Sequence, residues 1–371
     1  MGVNIVHGYT ATIISSANEI RELCKASVSP PGSTDGPLFF LAGINPRMWT
    51  PRVVVVRRGK SIVGFVYTKE LTLAGIKTGV LYGDNTLSTM IVGSPRDRPE
   101  LLRIALATLL KSNYVRGIRL LVPPDSFEIE TIYASCGESA EVRHSAAENH
   151  SYLPLPGDYE TFTGGLGART RRNIRYYRRR FADAGHTYIP NLGIEGLEDA
   201  VKSLSGKSVI GADAGGIARA LNVFSSVSRP WFAGLRHRDG SWLSVIGGWQ
   251  ESDDFTVFLQ MNDDRGHPES SLSLVMRSYV IEELIANGVP RLRFWAGVGG
   301  SLARHIVPVP AKRIYLDRPV VSWRFIRLAA QLLSSLFPRR LEWVKDWVLP
   351  PTQVQPDSNL VATPEKCPVK T

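Results

Sequence analysis

The alternation of apolar and polar residues predicts a unit of strands and one helix in the first third of the chain. β-Branched residues flank Gly59 within residues 52–67, as expected of a β-hairpin. A strand is predicted at 77–82, a helix with one apolar face at 99–111 and a buried strand at 117–122. The order is therefore an antiparallel meander, then a helix, then one further strand.

The second half of the chain repeats this order. Its predicted elements are a hairpin over 230–249 with Asp239-Gly240 at the turn, a strand at 254–261, a helix at 269–287 and a strand at 291–295. Pro51 aligns with Pro230 and Ile118 with Leu292 at nearly the same offset, which indicates a duplicated unit. Each unit is predicted to be an α+β layer in which the helix covers the sheet.

An arginine-rich segment separates the two repeats. Seven of the twelve residues from 169 to 180 are arginine. The segment also carries an apolar stripe at helical spacing, formed by Ile174, Tyr177 and Phe181. Gly185 stands where a helix C-cap glycine belongs, and Thr163 is predicted to cap the helix at its start. The pattern predicts a packed helix with a dense cationic face, on which Arg172, Arg175 and Arg179 lie together.

Composition supports a globular protein with a polyanionic partner. The chain has 371 residues, of which 43% are hydrophobic and 21% charged, and this length predicts two domains. The net charge of +10 predicts a polyanionic partner, which is a nucleic acid, an anionic membrane or a phosphate-rich cofactor. A solvated basic face with carboxylate partners inside the chain is the alternative. Three widely spaced cysteines form no CxxC pair, which predicts no metal site and no disulfide framework and fits the cytoplasm.

The C-terminal region departs from both repeats. Residues 323–337 are strongly apolar and helical in pattern, and Arg339, Arg340 and Trp343 follow them. Amphipathic helices over 319–349 are expected to dock on the second domain or to contact a membrane surface peripherally through 323–349. Residues 350–371 are rich in Pro, Gln, Ser and Thr and are expected to be disordered, and no stretch is apolar enough for a membrane span.

The arginine-rich string from Leu166 to Gly185 resembles the signature helix of the CelD/BioF-like acyltransferases, a group of the GNAT superfamily related to the FemABX peptidyltransferases. The resemblance extends to a long helix, a strand, a glycine loop at 297–300 and a basic residue at Arg304. It implies tandem GNAT-like domains, a degenerate one at 1–155 and an acyltransferase domain at 156–318. The family usually has an acidic residue and a Tyr-Lys pair where this chain has Trp295-Ala296 and Ala303-Arg304.

The resemblance implies acyl-CoA as donor and no metal. A GNAT fold holds the pantetheine arm along a splayed strand and the pyrophosphate at the next helix N-terminus. The implied phosphate contacts are Arg265, Gly266, Ser270 and Ser271, together with Arg172, Arg175 and Arg179. Asp263, Asp264 and Glu269 oppose an anion there, and a plain polar turn is the alternative.

The predicted activity is transfer of an acyl group from acyl-CoA to an amine of a sugar or cell-envelope precursor. Such transfer needs a base for the amine, and the candidates are His305, His267, Glu251 and Asp263, while Tyr315 is the candidate proton donor to the thiolate. One alternative keeps the fold and takes aminoacyl-tRNA as donor, as the FemABX relatives do. Another is a non-catalytic module that binds nucleic acid or anionic lipid.

Overall fold

The computed structural model describes residues 4–6, 8–23, 33–34, 36–73, 75–83, 91–124, 126–136, 140–208, 214–295 and 300–318. The helices predicted within 319–349 and the tail at 350–371 lie outside this part of the chain. None of the helices within these ranges is long and apolar enough to cross a membrane.

The secondary structure alternates between strands and helices. Within the described ranges the strands are β1 (Asn4–Val6), β2 (Tyr9–Ile14), β3 (Trp49–Arg58), β4 (Ser61–Leu73), β5 (Ile76–Tyr82), β6 (Ile91–Gly93), β7 (Gly117–Val122), β8 (Glu141–Pro154), β9 (Thr187–Ile189), β10 (Pro230–Arg236), β11 (Trp242–Glu251), β12 (Asp254–Asn262), β13 (Arg291–Phe294) and β14 (Val307–Asp317). The helices are α1 (Ala17–Glu22), α2 (Pro37–Ala42), α3 (Arg98–Lys111), α4 (Phe127–Cys136), α5 (Tyr159–Gly165), α6 (Ala168–Asp183), α7 (Ile194–Leu204), α8 (Ala214–Ser226) and α9 (Leu272–Ala286), with a 3₁₀ helix at Gly300–His305.

The strands form one continuous sheet that contains two copies of the same unit. The sheet order is β1-β2-β3-β4-β5-β7-β14-β8-β13-β12-β11-β10-β9, with β6 beside β4. The meander β3-β4-β5, helix α3 and strand β7 correspond to the meander β10-β11-β12, helix α9 and strand β13. In both copies the strand after the helix pairs in parallel with the third meander strand, whereas the other pairs of the described sheet are antiparallel. The predicted tandem α+β architecture is confirmed.

The final strands of the two units are exchanged. Strand β8 ends the first half of the chain, yet it pairs with β13 of the second unit. Strand β14 follows the second unit, yet it pairs with β7 of the first unit and with β8. The predicted division at residue 155 thus falls directly after a strand that lies in the second unit's half of the sheet, and the division into two domains stays a prediction.

Helices cover both faces of the second unit. On one face α5, α6 and α9 pack over Leu243, Phe255 and Leu292. On the other face α7 and α8 pack over Val245 and Trp249. Helix α2 of the first unit joins this second core, where the Phe39 and Trp249 rings lie 5.6 Å apart in an edge-to-face contact.

Helix α6 confirms the predicted apolar stripe and C-cap, but its predicted N-cap is wrong. Ile174 and Phe181 are buried, and Gly185 has a left-handed φ of +73°. Thr163 instead lies within α5, a separate helix capped by Asp158, whose Oδ1 accepts a hydrogen bond from the Thr161 backbone N at 2.7 Å. Asp is a stronger N-cap residue than Thr, and Asp158 lies upstream of Thr163. The chain therefore begins a separate helix at Tyr159, before α6.

Candidate functional site

The parallel strands β12 and β13 separate into a fork. They pair from Asp254 opposite Arg291 to Val257 opposite Phe294, and the Trp295 backbone N then donates to the Val257 carbonyl at 2.8 Å. Strand β13 ends there, while β12 continues to Asn262. Within the described residues no strand lies beside 258–262 on this side, and at the end of β12 the Asn262 backbone N donates to the Ser208 hydroxyl at 3.5 Å.

A β-bulge lies at the base of this fork. Gly247 of β11 pairs with Leu259 and Gly248 pairs with Val257, so Phe258 is an extra residue on β12. Gly248 allows the bulge because a Cβ there would come within 2.2 Å of the Thr256 carbonyl oxygen. The bulge turns the side chains that follow it onto the opposite faces of the sheet.

The change of face decides which residues reach α9. Phe255 and Val257 belong to the core beneath α9, whereas Leu259 and Met261 belong to the core beneath α7 and α8. Gln260 consequently points toward α9, where its amide Nε2 lies 3.3 Å from the Ser273 hydroxyl oxygen. A polar side chain is thereby placed on the helix-covered side of the fork.

The N-terminus of α9 opens beside the end of β12. Ser271 precedes the helix with a left-handed φ of +44°, and no side chain caps the helix. The helix therefore starts at Leu272, three residues later than predicted. Its first N–H groups have no partner within the helix, and the helix dipole makes this end attractive to an anion.

Asp263 organises the loop that leads to α9. Its Oδ1 accepts a hydrogen bond from the Gly266 backbone N at 2.8 Å, and its Oδ2 lies 3.6 Å from Lys207 Nζ. A Cβ on Gly266 would lie 2.7 Å from Asp263 Oδ1, so a side chain there would displace the Asp263 carboxylate. The Gly266 N–H is thus occupied within the loop. Ser270 and Ser271 lie next to the helix end, and Arg265 is exposed.

Three histidines connect this loop to the end of α6. The His186 and His237 ring centroids are 4.5 Å apart, and those of His237 and His267 are 5.8 Å apart. The His186 ring also contacts the ring of Phe181 on α6. Burial and the nearby His237, His267 and Arg238 lower the pKa of His186. Within the described residues no group of His, Cys, Asp or Glu has the geometry of a metal site.

Helix α6 is anchored to α9 by one of its arginines. Arg178 Nη2 lies 2.6 Å from Glu282 Oε2, and the guanidinium stacks over the Tyr279 ring at 4.1 Å. Burial opposes the charge, but the bond to Glu282 and the nearby Tyr159 outweigh it and raise the pKa of Arg178. The stripe and this ion pair fix the side of α6 that faces the protein.

The other arginines of α6 form a basic face. Arg172, Arg175 and Arg179 share one shallow groove, as predicted, and its further lining residues are Ala168, Arg171 and Tyr176. Arg179 pairs with Asp183 at 3.4 Å. Arg172 and Arg175 have no carboxylate partner within the described ranges and are exposed. The structure therefore supports a free cationic face more than an internally neutralised one.

The predicted catalytic residues lie in three separate places. His305 ends the 3₁₀ helix that follows β13 in the chain. Two residues later, Val307 pairs with Tyr152 of β8 on the side opposite Arg293, so β8 lies between this part of β14 and β13. Glu251 pairs with Asp254 at the opposite end of β12 and accepts a hydrogen bond from the Thr34 hydroxyl.

Tyr315 is not brought to the fork. It lies in β14, between β7 and β8, with 2% of its surface exposed. The guanidinium of Arg119 stacks over its ring at 5.1 Å. The exchange of the final strands places Tyr315 beside the first unit, which is why its order in the sequence suggests a proximity to the glycine loop that the structure does not have.

Sequence reasoning missed Arg277, which lies in α9. Its Nε donates to Gln260 Oε1 at 2.9 Å, and its guanidinium lies over the Phe294 ring at 4.8 Å. Arg277 thus bridges the two strands of the fork from the helix side. The available signal was a charged residue within the apolar run 274–281 of the predicted helix.

Comparison with known proteins gives matches in structure alone. No family model and no curated protein matches the chain. The C-terminal domain of a protein described as a lysylphosphatidylglycerol synthetase from Agrobacterium fabrum is 14% identical, with a TM-score of 0.52 over 82% of this chain and 93% of that one. L-PGS from Bacillus licheniformis is 9% identical, with a TM-score of 0.50 over 90% of this chain and 97% of that one.

A tandem GNAT protein from the clavulanic acid biosynthesis pathway is 12% identical, with a TM-score of 0.47 over 84% of this chain and 98% of that one. At these identities the likenesses concern the fold. They do not single out the CelD/BioF-like group, so that narrower resemblance stays a prediction. The first two likenesses, together with the repeated unit in the sheet, show that the protein shares the α+β fold of those two structures.

Proposed function

We propose that this protein transfers an acyl group from acyl-CoA to an amine at the fork of its second unit. The observation that carries the proposal is the bulge at Phe258, which lies where β12 and β13 part and beside the open N-terminus of α9. The amine of a sugar or cell-envelope precursor is the proposed acceptor.

Each part of the donor has a suitable partner in this arrangement. The amides of a pantetheine arm can pair with the edge of β12 at 258–261, beside which no described strand lies, as an added strand does. The pyrophosphate suits the N-terminus of α9, where Asp263 is turned toward Gly266 and Lys207. The backbone at Phe258 is irregular, and a backbone N–H directed at the thioester oxygen from such a bulge would stabilise the developing oxyanion.

His305 is the proposed base. The amine nitrogen attacks the thioester carbonyl carbon, the C–N bond forms and the C–S bond breaks. His305 accepts the proton that the amine loses and returns it to the departing thiolate, so one imidazole serves both steps. It follows β13 in the chain, whereas Glu251 lies at the other end of β12 and Tyr315 lies between β7 and β8, and we favour His305 for that reason.

The test is calorimetric titration with acetyl-CoA of the wild type, Ser271→Asp and Ser271→Asn. Both substitutions suit the left-handed backbone at this position, and only Asp adds a negative charge at the helix end. We expect Asp to weaken binding about tenfold or more and Asn to change it little. No saturable binding by the wild type, or equal effects of the two substitutions, would overturn the proposed CoA site.

The basic face of α6 favours a second candidate, transfer from aminoacyl-tRNA. Arg172 and Arg175 are exposed without carboxylate partners in the described ranges, and Tyr176 beside them is 56% exposed. Arginines interleaved with an aromatic ring suit a phosphodiester backbone and a base. The same face would serve the non-catalytic alternative, a module that binds nucleic acid or anionic lipid.

Salt dependence of tRNA binding separates these candidates from the CoA hypothesis. The affinity for tRNA falls with salt, and each phosphate contact makes this fall steeper. If the two arginines bind phosphates, the double variant Arg172→Ala/Arg175→Ala makes the negative slope of log affinity against log salt shallower by about 1.5–2. The double variant Arg47→Ala/Arg96→Ala removes the same charge from exposed positions in the first unit and is the control. Salt-sensitive tRNA binding without CoA binding would move the proposal to tRNA, and an equal change in both variants would exclude a specific role for α6.

A further inference from the structure

Arg277 is a cation held at the fork between β12 and β13. Its Nε donates to Gln260 of β12 at 2.9 Å, and its guanidinium lies over Phe294 of β13 at 4.8 Å. Phe294 pairs with Val257, directly before the bulge. The side chain is partly buried, and its two terminal nitrogens have no hydrogen-bond partner within the described ranges.

The first unit provides an internal comparison. Arg103 is the sixth residue of α3, as Arg277 is of α9. Arg103 makes two hydrogen bonds to Glu100 on its own helix, at 2.5 and 2.7 Å. Leu274 occupies the corresponding position in α9. The arginine is therefore neutralised in the first unit, whereas in the second unit it has no carboxylate among the described residues.

An arginine in this position is ready to bind an anion. Burial lowers the pKa of Arg277, but a guanidinium stays charged in proteins. A partly buried cation without a counter-ion is unfavourable until an anion joins it, and the planar guanidinium suits two oxygens of one carboxylate. Arg277 lies about 8 Å along the axis from the first residue of α9, so a phosphate bound at the helix end is a separate ligand group.

We propose that Arg277 is a specificity-determining residue that binds a carboxylate on the acyl group of the donor. The inference rests on the proposed acyl transfer at this fork. Gln260, which holds Arg277, lies two residues beyond the bulged Phe258, about 7 Å along the strand. A carboxylate about two or three methylene groups beyond the reacting carbonyl spans that distance, so the favoured donors are thioesters of short dicarboxylic acids.

Competition between two donors of equal chain length tests the proposal. We expect wild-type protein to bind succinyl-CoA about tenfold or more tighter than butyryl-CoA, since a hydrogen-bonded ion pair distinguishes them. Arg277→Gln is expected to abolish this preference, and Arg277→Lys to keep part of it. Arg103→Gln is the matched control and should leave the preference intact. Equal binding of both donors by the wild type, or an unchanged preference in Arg277→Gln, would overturn the proposal.

A second measurement is independent of CoA. Sodium succinate is expected to raise the melting temperature of the wild type and of Arg103→Gln more than uncharged succinamide does at equal ionic strength, and to have no such effect on Arg277→Gln. If neither CoA ester binds while succinate acts through Arg277, the carboxylate site stands and the proposed donor fails. Equal responses of wild type and Arg277→Gln to succinate would overturn the site itself.

Discussion

Gly248 lies against the backbone of Thr256, and a Cβ at Gly248 would approach the Thr256 carbonyl oxygen to 2.2 Å. This contact lies where Phe258 bulges from β12 and where the fork with β13 begins. Because residue 248 of β11 has no side chain, β12 can bulge at Phe258, and the proposed site depends on this bulge.

Gly248→Ala is therefore expected to destabilise the protein and to disturb the fork. Overpacking of this kind costs about 1–3 kcal/mol, measured as the free energy of unfolding in urea. A Cβ added at Gly157 would meet open space, so Gly157→Ala is the control and should change stability by less than about 0.5 kcal/mol. Equal stability of the two variants would show that the bulge does not press on Gly248.

The exchanged strand β14 is held by a buried ion pair. Asp317 lies 2.8 Å from Arg119 of β7 and 2.5 Å from Arg143 of β8, and the Asp317 and Arg119 side chains are each 2% exposed. Asp317→Asn leaves the buried guanidinium poorly compensated, so we expect a loss of about 3–5 kcal/mol in urea unfolding. Asp253→Asn removes an exposed pair with Arg291 and should cost less than about 1 kcal/mol. Similar losses in both variants would contradict the placement of β14 beside β7.

His305→Ala is expected to lower kcat by about 10²- to 10⁴-fold in acetyl transfer to an amine. The reason is that His305 is the proposed base, in the segment that follows β13 in the chain. His144→Ala, in β8, is the control and should retain activity. If Glu251→Gln loses kcat to this extent while His305→Ala stays active, the base is Glu251, at the other end of β12, and not His305.

The histidine cluster predicts a pH-dependent stability. The pKa of His186 is lowered by burial and by His237, His267 and Arg238, while Asp239 acts in the opposite direction. The unfolded chain then binds more protons than the folded protein as the pH falls below about 6.5, so stability decreases from neutral pH down to the folded-state pKa. The melting temperature should fall between pH 7.5 and 5.5, and less so in His186→Asn. His144→Asn, outside the cluster, should keep the wild-type dependence, and the same curve for His186→Asn would refute the effect.

Much of the secondary structure was predictable because it depends on neighbours in the chain. Gly185 ends α6 with a positive φ, and Gly240 turns the β10–β11 hairpin, as their residue types and positions indicated. Helix α2, helix α4 and strand β8 were not predicted, although β8 contributes a partner for both β13 and β14. Two adjacent glycines, Gly247 and Gly248, within an apolar strand were an available signal for the bulge.

The sequence by itself determined the repeated unit, the apolar stripe of α6 and the arginine face opposite it, because each depends on spacings of a few residues. Only the tertiary structure decided that β14, and not β8, pairs with β7. Either strand could pair there in the antiparallel sense, and the entropy of closing the connecting chain grows too slowly with its length to favour the nearer strand strongly. The tertiary structure also decided that Gln260 and Arg277 meet. Strict alternation would place Gln260 on the face away from α9, and one extra residue at Phe258 reverses it.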